Sequence, residues 1–323
     1  MCTAISYLNS DHYFGRNLDL EHSYHEVITI TPRAFPFTFK SAPQLLTHYA
    51  MIGMATVCKN YPLYYEATNE YGLSMAGLNF PDNAVYHSKK ENYDNITPFE
   101  FIPWILGQCK NVKDARQRLD TINLLDLPFS QNLPLTPLHW MISDRSSSIT
   151  VEPTVGGLMV YDNPVGVLTN NPPFDYHMYN LRNYLNLTIL EPENRFSDKL
   201  ELTPYSRGMG AFGLPGDLSS ASRFIKATFT KLNSQADDTE SSSISQFFHI
   251  LNAVAQQRGC VKIGEHYEKT IYSSCCNTEK GIYYYTTYEN AQITAVNMFH
   301  EKLDADCLYT FPIRSYQHIQ MEN

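Results

Sequence analysis

The order of strand-like and helix-like segments constrains the fold of this chain more than any other feature. Residues 2–7 and 12–18 are predicted strands, joined by the turn-forming residues Leu8-Asn9-Ser10-Asp11. Further predicted strands follow at Glu26–Thr31, Tyr49–Thr56, Leu73–Leu78, His139–Asp144, Ser148–Glu152, Leu158–Tyr161 and Val165–Leu168. The first half of the chain therefore favours sheets built from neighbouring strands.

Helix signals interrupt and follow these strands. Thr97-Pro98-Phe99-Glu100 has an N-cap residue, proline at the first helical position and a capping-box glutamate, so a helix is predicted to run from it to about Cys109. Other predicted helices are 112–119, Phe174–Tyr184, Ser220–Leu232 and Ile244–Ala255, before strands return at Thr270–Cys275, Gly281–Tyr288 and Gln292–Met298. This order predicts an α+β protein with mostly antiparallel sheets covered by helices, and we expect residues 1–323 to form a single domain.

Charge and composition narrow the class of partner. The formal net charge is −9 and no basic stripe is present, which argues against nucleic acid. Neither a secretory signal nor a stretch long and apolar enough to span a membrane is found, so we expect no membrane partner and a cytoplasmic location. The seven cysteines are scattered without zinc-ligand spacing, so no disulfide framework, metal or cofactor is predicted.

Cys2 is the strongest candidate for a reactive residue. A cysteine at this position allows an aminopeptidase to remove Met1, which leaves a free α-amine on the nucleophile's own residue. A free α-amine has a pKa close to that of a thiol, so the amine can accept the thiol proton. Taken alone, however, a cysteine at this position is more often inert packing.

The second predicted strand supplies possible helpers for Cys2. Pairing across the first turn places Cys2 opposite Arg16 or Asn17, within one residue. A cation such as Arg16 favours a thiolate, and a carboxylate such as Asp19 can orient an amine. On spacing alone, these two residues could also be surface charges at a hairpin end.

Five ordered motifs resolve this ambiguity by their resemblance to one family. They are Met-Cys-Thr-Ala at the start, Phe-Gly-Arg-Asn-Leu-Asp at 14–19, Ala-Gly-Leu-Asn-Phe at 76–80, Gly-Val-Leu-Thr-Asn-Asn-Pro at 166–172 and Gly-Leu-Pro-Gly-Asp-Leu-Ser-Ser-Ala-Ser-Arg-Phe at 213–224. With Tyr-Ser-Ser-Cys-Cys at 272–276, they span nearly the whole chain. The sequence closely resembles the choloylglycine hydrolases, which include bile salt hydrolases and penicillin V acylases.

The resemblance implies an N-terminal-nucleophile hydrolase fold, a four-layer αββα sandwich, and a role for each motif residue. Cys2 would attack an amide carbonyl to form a thioester, Asp19 would hold the new α-amine and Arg16 would lie beside the thiol. The Asn170 side chain and the Asn79 backbone N–H would bind the oxyanion, with Asn171 a less favoured donor. Arg223 would complete the charge network. The family also implies a homo-oligomer, commonly a tetramer.

The implied substrate is a glycine- or taurine-conjugated bile salt. Positions matching the family's pocket loops would present apolar side chains to a steroid, namely Leu18, Cys58, Tyr65, Phe129 and Leu133. Each could instead be ordinary core packing. Asn79 favours bile salts, because penicillin V acylases typically carry tyrosine there. Acylase activity on penicillin V is the first alternative, and a non-catalytic binding protein with the same fold is the second.

Two other features are interpreted as unrelated to catalysis. Residues 208–213 match the dinucleotide-binding pattern G-x-G-x-x-G, but the preceding residues Leu202–Arg207 are not an apolar strand, so a loop is predicted. His139 could serve as the base of a Cys/His enzyme. Because it lies in a strand-like run, it is predicted to be a packed core histidine.

Overall fold

The computed structural model describes residues 1–323 and begins with the hairpin that the sequence predicts. Seventeen strands, numbered in chain order, are β1 Cys2–Leu8, β2 His12–Leu20, β3 Val27–Thr31, β4 Met51–Cys58, β5 Tyr61–Asn69, β6 Ser74–Asn79, β7 Asp94–Ile96, β8 Ile122–Leu124, β9 Leu138–Ser143, β10 Ser148–Thr154, β11 Gly157–Asp162, β12 Val167–Leu168, β13 Val261–Ile263, β14 His266–Asn277, β15 Ile282–Thr287, β16 Asn290–Asn297 and β17 Tyr309–Pro312.

Five α-helices are α1 Phe101–Leu106, α2 Val112–Leu119, α3 Phe174–Asn180, α4 Ser220–Asn233 and α5 Glu240–Asn252. Short 3₁₀ turns precede α1, at Pro98–Glu100, and follow α3, at Leu181–Tyr184. None of the helices combines the length and apolar character needed to cross a bilayer.

The strands form two large antiparallel sheets. The first sheet has seven strands in the order β12-β1-β2-β14-β15-β16, with β13 paired to β14. The second has eight strands in the order β11-β10-β9-β6-β5-β4-β3-β17, and β7 and β8 form a small parallel pair. Consecutive strands in the chain are often neighbours, as the short connections between them require.

Alternating side chains in the second sheet divide the apolar interior into two parts. Ile52 and Met54 on β4 point toward the first sheet and join a core that also contains residues of α4 and α5. Met51 and Ala55 on the same strand point the other way, toward α1 and α2. Because side chains alternate with a period of two, one strand serves both cores. The layers therefore run from α4 and α5 through the two sheets to α1 and α2, which confirms the predicted four-layer sandwich.

Most predicted elements are present, and the differences have identifiable causes. α2 spans the predicted residues, and the predicted capping box at the start of the first helix is half formed, since Thr97 N–H donates to Glu100 Oε2 at 2.8 Å. α5 begins four residues before the predicted Ile244, because Thr239 Oγ1 accepts from Ser242 N–H as its N-cap. The sequence missed β5, which contains Pro62.

Candidate active site

Cys2 is the first residue of β1 and is buried in the first sheet. It pairs with Leu18, not with Arg16 or Asn17, so the predicted register is one residue short, within its stated range. The Cys2 backbone N–H donates to Asn170 Oδ1 at 2.7 Å, and its carbonyl accepts from Arg223 Nη1 at 2.6 Å. Two residues distant in sequence therefore hold the backbone of Cys2 from both sides.

Arg16 lies on the same side of the hairpin as Cys2, because Leu18 pairs with Cys2 and Arg16 is two residues from Leu18. The buried guanidinium donates from Nη1 to the carbonyls of Tyr65 and Gly77, at 3.1 and 2.6 Å, while Nη2 has no partner. Burial lowers the pKa of Arg16, but Coulomb interactions with Cys2, Tyr272, Glu66 and Asp19 outweigh it, and the net direction is upward. Arg16 is thus a fixed cation beside the thiol, with a free donor.

A buried carboxylate that the sequence did not single out lies behind Arg16. Glu66 accepts hydrogen bonds from the hydroxyls of Tyr272 at 2.7 Å, Tyr283 at 2.5 Å and Ser274 at 3.0 Å, and its Oε2 is 3.9 Å from Arg16 Nε. Burial raises the pKa of Glu66, and Arg16 and the three hydroxyls oppose that shift. Tyr272 and Ser274 belong to the Tyr-Ser-Ser-Cys-Cys motif, which is the only quoted motif that contains residues hydrogen-bonded to Glu66.

Asp19 lies on the opposite face of the hairpin from Arg16, by the same alternation. Its Oδ1 accepts from Thr270 Oγ1 at 2.6 Å, whereas the buried Oδ2 has no hydrogen-bond partner and is 4.0 Å from Arg223 Nη1. Burial raises the pKa of Asp19, and Arg223 counteracts this. The site therefore contains a buried carboxylate oxygen that can accept a further hydrogen bond.

Asn170 connects the segment after β12 to both Cys2 and Asn79. Its Oδ1 accepts from Cys2 N–H and from Arg223 Nη2 at 2.9 Å, and its Nδ2 donates to the Asn79 carbonyl at 2.7 Å. A side-chain amide has two N–H donors, so one remains available. Asn171 points elsewhere and donates to the Pro81 carbonyl. The structure thus brings Cys2, Asn79, Asn170 and Arg223 together.

Met1 occupies a partly buried position at the start of β1, beside Cys2. Its ammonium group forms an ion pair with the buried Glu268 and donates to the Asp19 carbonyl at 2.8 Å, while Asp19 N–H donates to the Met1 carbonyl at 3.0 Å. Glu268 has no other hydrogen-bond partner. Sequence reasoning missed Glu268, which lies in none of the quoted motifs.

The five predicted substrate-binding residues fall into two places. Leu18 pairs with Cys2, and Tyr65 packs against the same core while its carbonyl accepts from Arg16, so these two lie near Cys2. Cys58 pairs with Tyr61, whose ring also lies 5.9 Å from that of Phe129. Leu133 forms a bridge with Ser130, next to Phe129 in the chain. Tyr65 packs against the core between the sheets, whereas Tyr61 packs against the core on the α1 side, so the two places lie on opposite faces of the second sheet.

The structure supports the interpretation of the G-x-G-x-x-G match as a loop and of His139 as a packed core histidine. Within residues 208–213, Met209–Ala211 form a 3₁₀ turn after Gly208, which has φ +81°, and no strand lies immediately before them. His139 is fully buried, as predicted. Both of its ring nitrogens are occupied, by the Thr169 carbonyl at 2.8 Å and by Glu152 Oε1 at 3.2 Å, so neither is available as a base for Cys2.

Fold and site together define a hydrolase of the N-terminal-nucleophile class, and comparison with known proteins agrees. Residues 2–311 match the family of linear amide C-N hydrolases described as the choloylglycine hydrolase family. The chain is 54% identical over 316 residues to a bile salt hydrolase/transferase of Lactiplantibacillus plantarum, with 98% of each chain covered. The chain therefore belongs to the choloylglycine hydrolase family and is a hydrolase of linear amide C–N bonds.

Solved structures support the same assignment. A mutant of the conjugated bile acid hydrolase from Clostridium perfringens superposes with a TM-score of 0.93 and 40% identity, covering 100% of both chains. The penicillin V acylase of Agrobacterium tumefaciens shares the fold, with a TM-score of 0.76, 17% identity and coverage of 98% and 94%. Membership of a hydrolase family favours the catalytic interpretation over a non-catalytic binding protein.

Proposed function

We propose that the protein, once Met1 is removed, hydrolyses the amide bond of glycine- or taurine-conjugated bile salts with Cys2 as nucleophile. The observation that carries this proposal is the cluster around Cys2, in which Arg16 and Asn170 lie on either side of the buried residue. The identity to proteins named bile salt hydrolases supports the choice of substrate.

The proposed reaction has two stages. The Cys2 sulfur attacks the amide carbonyl carbon while the thiol proton moves to the α-amine, and that proton then passes to the departing glycine or taurine nitrogen as the C–N bond breaks. The resulting thioester is attacked by water, which gives its proton to the α-amine and releases the free bile acid and the thiol. The α-amine thus acts as base and acid in turn.

The surrounding groups act on charge at each stage. The free N–H of Asn170 Nδ2 and the backbone N–H of Asn79 would stabilise the oxyanion, while the Nη2 group of Arg16 favours the thiolate. Asp19 Oδ2, which has no hydrogen-bond donor, would accept from the new α-amine. Arg223 would offset the Asp19 charge and fix the carbonyl of Cys2.

Apolar side chains beside Cys2 support a steroid as the acyl group. Leu18 pairs with Cys2, and Tyr65 packs against the same core as both residues. A rigid apolar ligand that packs against Leu18 and Tyr65 would have its amide end at Cys2. We keep penicillin V as a weaker substrate, because Asn79 stands where penicillin V acylases typically carry tyrosine.

The test compares amine release from glycocholate, taurocholate and penicillin V by the wild type, Cys2→Ala and Cys260→Ala. We expect Cys2→Ala to lose turnover completely and Cys260→Ala, at an exposed cysteine, to keep it. Mass spectrometry should show that Met1 is absent from the active protein. Turnover by Cys2→Ala, or full activity with Met1 retained, would contradict the nucleophile assignment.

We also propose that copies of this chain associate. The segment from Leu185 to Phe212 exposes large apolar side chains that a monomer would leave in water, namely Leu185, Ile189, Leu190, Phe196, Tyr205 and Phe212. A second copy is the partner that would cover them, consistent with the homo-oligomer implied by the family. The seven free cysteines suit a reducing compartment, so we propose the cytoplasm as the site of action.

A further inference from the structure

His139 makes hydrogen bonds that ordinary packing does not require. It lies on β9, and its neighbour on β6 is Leu78, which precedes Asn79. Its Nε2 is 2.8 Å from the carbonyl oxygen of Thr169, the residue before Asn170. Because a carbonyl only accepts, Nε2 must carry the proton, which fixes one end of the ring.

The ring of His139 also contacts the other side of the site. Phe80, which follows Asn79, stacks on it at a centroid distance of 4.2 Å and an interplanar angle of 7°. Phe80 is buried, and its N–H donates to the Pro137 carbonyl at 2.8 Å. One imidazole is therefore in contact with the residue before Asn170 and with the residue after Asn79.

Glu152 holds the ring at its second nitrogen. Its Oε1 is 3.2 Å from His139 Nδ1 and also accepts from the backbone N–H of Phe174 at 2.9 Å, at the start of α3. Both Glu152 and His139 are almost completely buried, so neither can exchange these contacts for water. The ring consequently has one orientation, fixed by strands β9 and β10 and helix α3.

We propose that His139 is a positioning residue that sets the spacing of Asn79 and Asn170, the two oxyanion donors, with Glu152 fixing its ring. The inference rests on the proposed function, because it assumes that these two residues bind the oxyanion. The carbonyl of Thr169 is the point at which His139 acts on Asn170, and the ring face of Phe80 is the point at which it acts on Asn79. Displacement of a catalytic donor by about 1 Å can cost about 10²-fold in rate.

A matched pair of substitutions isolates the bond to Thr169. In His139→Gln the side-chain amide can replace Nε2 as donor to Thr169, whereas in His139→Asn the shorter amide can replace only Nδ1, facing Glu152. Both variants lose the ring and its stacking on Phe80. We expect His139→Gln to stay within about fivefold of the wild-type kcat and His139→Asn to lose at least about tenfold, with KM unchanged in both.

Further measurements keep the outcomes distinct. Thermal unfolding defines a temperature at which each variant is folded. Phe80→Leu provides a second test in case a histidine variant does not fold. It loosens the ring without removing a polar group and should lower kcat severalfold. Equal kcat values for the Gln and Asn variants, or an unchanged kcat in Phe80→Leu, would overturn the inference. Asn170→Ala serves as the reference: full activity in that variant would overturn the proposed function itself.

Discussion

At the scale of single residues, the site is organised around charges that are buried and therefore strong. Arg16 stands between Cys2 and Glu66, so its positive charge is shared between a thiol and a carboxylate. Three hydroxyls hold Glu66 in place, and removal of one such bond to a buried charge typically costs about 1.5–3 kcal/mol. The carboxylate of Glu66 therefore offsets part of the field that Arg16 exerts on Cys2.

His12 gives a prediction about pH and stability. Burial lowers its pKa to about 4; nearby Asp144 opposes this shift, while Arg145 and Lys231 add to it. Between pH 6.5 and 4 the unfolded chain binds a proton at His12 that the folded chain does not, so stability falls as the pH falls through this window. The lowered pKa of His12 corresponds to a loss of roughly 3 kcal/mol of unfolding free energy across this window.

Denaturant titrations between pH 4 and 7 should show a shallower pH dependence of the unfolding free energy for His12→Gln than for the wild type. Asp19 and Glu66, whose raised pKa values act in the opposite direction, are present in both proteins and cancel in the difference. His318→Gln, at an exposed position, is the control and should keep the wild-type slope. Identical slopes for all three proteins would refute the assignment.

At the scale of elements, β2 presents Arg16 to one face of its sheet and Asp19 to the other, while it pairs with β1 and β14. Gly15 makes the close approach of β2 to β14 possible, because a Cβ there would lie 1.9 Å from the Ser274 carbonyl oxygen. No side-chain rotation can relieve contact with backbone. Glycine is therefore required immediately before Arg16.

Gly15→Ala should lower the unfolding free energy by about 3 kcal/mol or more, or prevent folding, since overpacking against backbone leaves no low-energy arrangement. Gly216→Ala is the matched control, because a Cβ at Gly216 meets no atom within 4 Å. Chemical denaturation of the two variants tests the difference. Equal stability would show that β2 and β14 separate more easily than their contacts indicate.

The sequence predicted elements where local signals were strong and missed interactions that depend on distant residues. The Leu8–Asp11 turn is local, and the two strands that it joins have the predicted bounds to within two residues, while α2 spans the predicted residues 112–119. By contrast, nothing near Glu66 or Glu268 indicates that either meets a residue about 200 or more positions away, Tyr272 in the first case and Met1 in the second. His139 was correctly predicted to be buried, but its link to Thr169 required the fold.

At the scale of the whole molecule, the two sheets bury the cluster around Cys2, while the Leu185–Phe212 segment lies outside the layers with its apolar side chains exposed. Phe196 and Tyr205 are 79% and 81% exposed, and such exposure of large apolar side chains to water is unfavourable in a monomer. This contrast is the physical basis for the proposed association.

Sedimentation or light scattering should give the wild type a mass that is a multiple of 37.0 kDa. Phe196→Asp places a charge in the proposed contact and should shift the population toward the monomer. Val155→Asp changes an equally exposed apolar residue on the β10–β11 turn and should leave the mass unchanged. A wild type that is monomeric at all concentrations would exclude the proposed contact.

The contacts of Met1 imply that its removal must precede folding. An aminopeptidase must draw residue 1 into its own catalytic centre, yet here the main chain of Met1 is hydrogen-bonded to Asp19 and its ammonium group is paired with Glu268. If Cys2 is the nucleophile, as proposed, we expect trimming to happen while the nascent chain is still open, and a molecule that folds first to stay inactive. We expect folded protein that retains Met1 to resist added methionine aminopeptidase and to lose the residue only when unfolded, as intact-mass measurements would reveal.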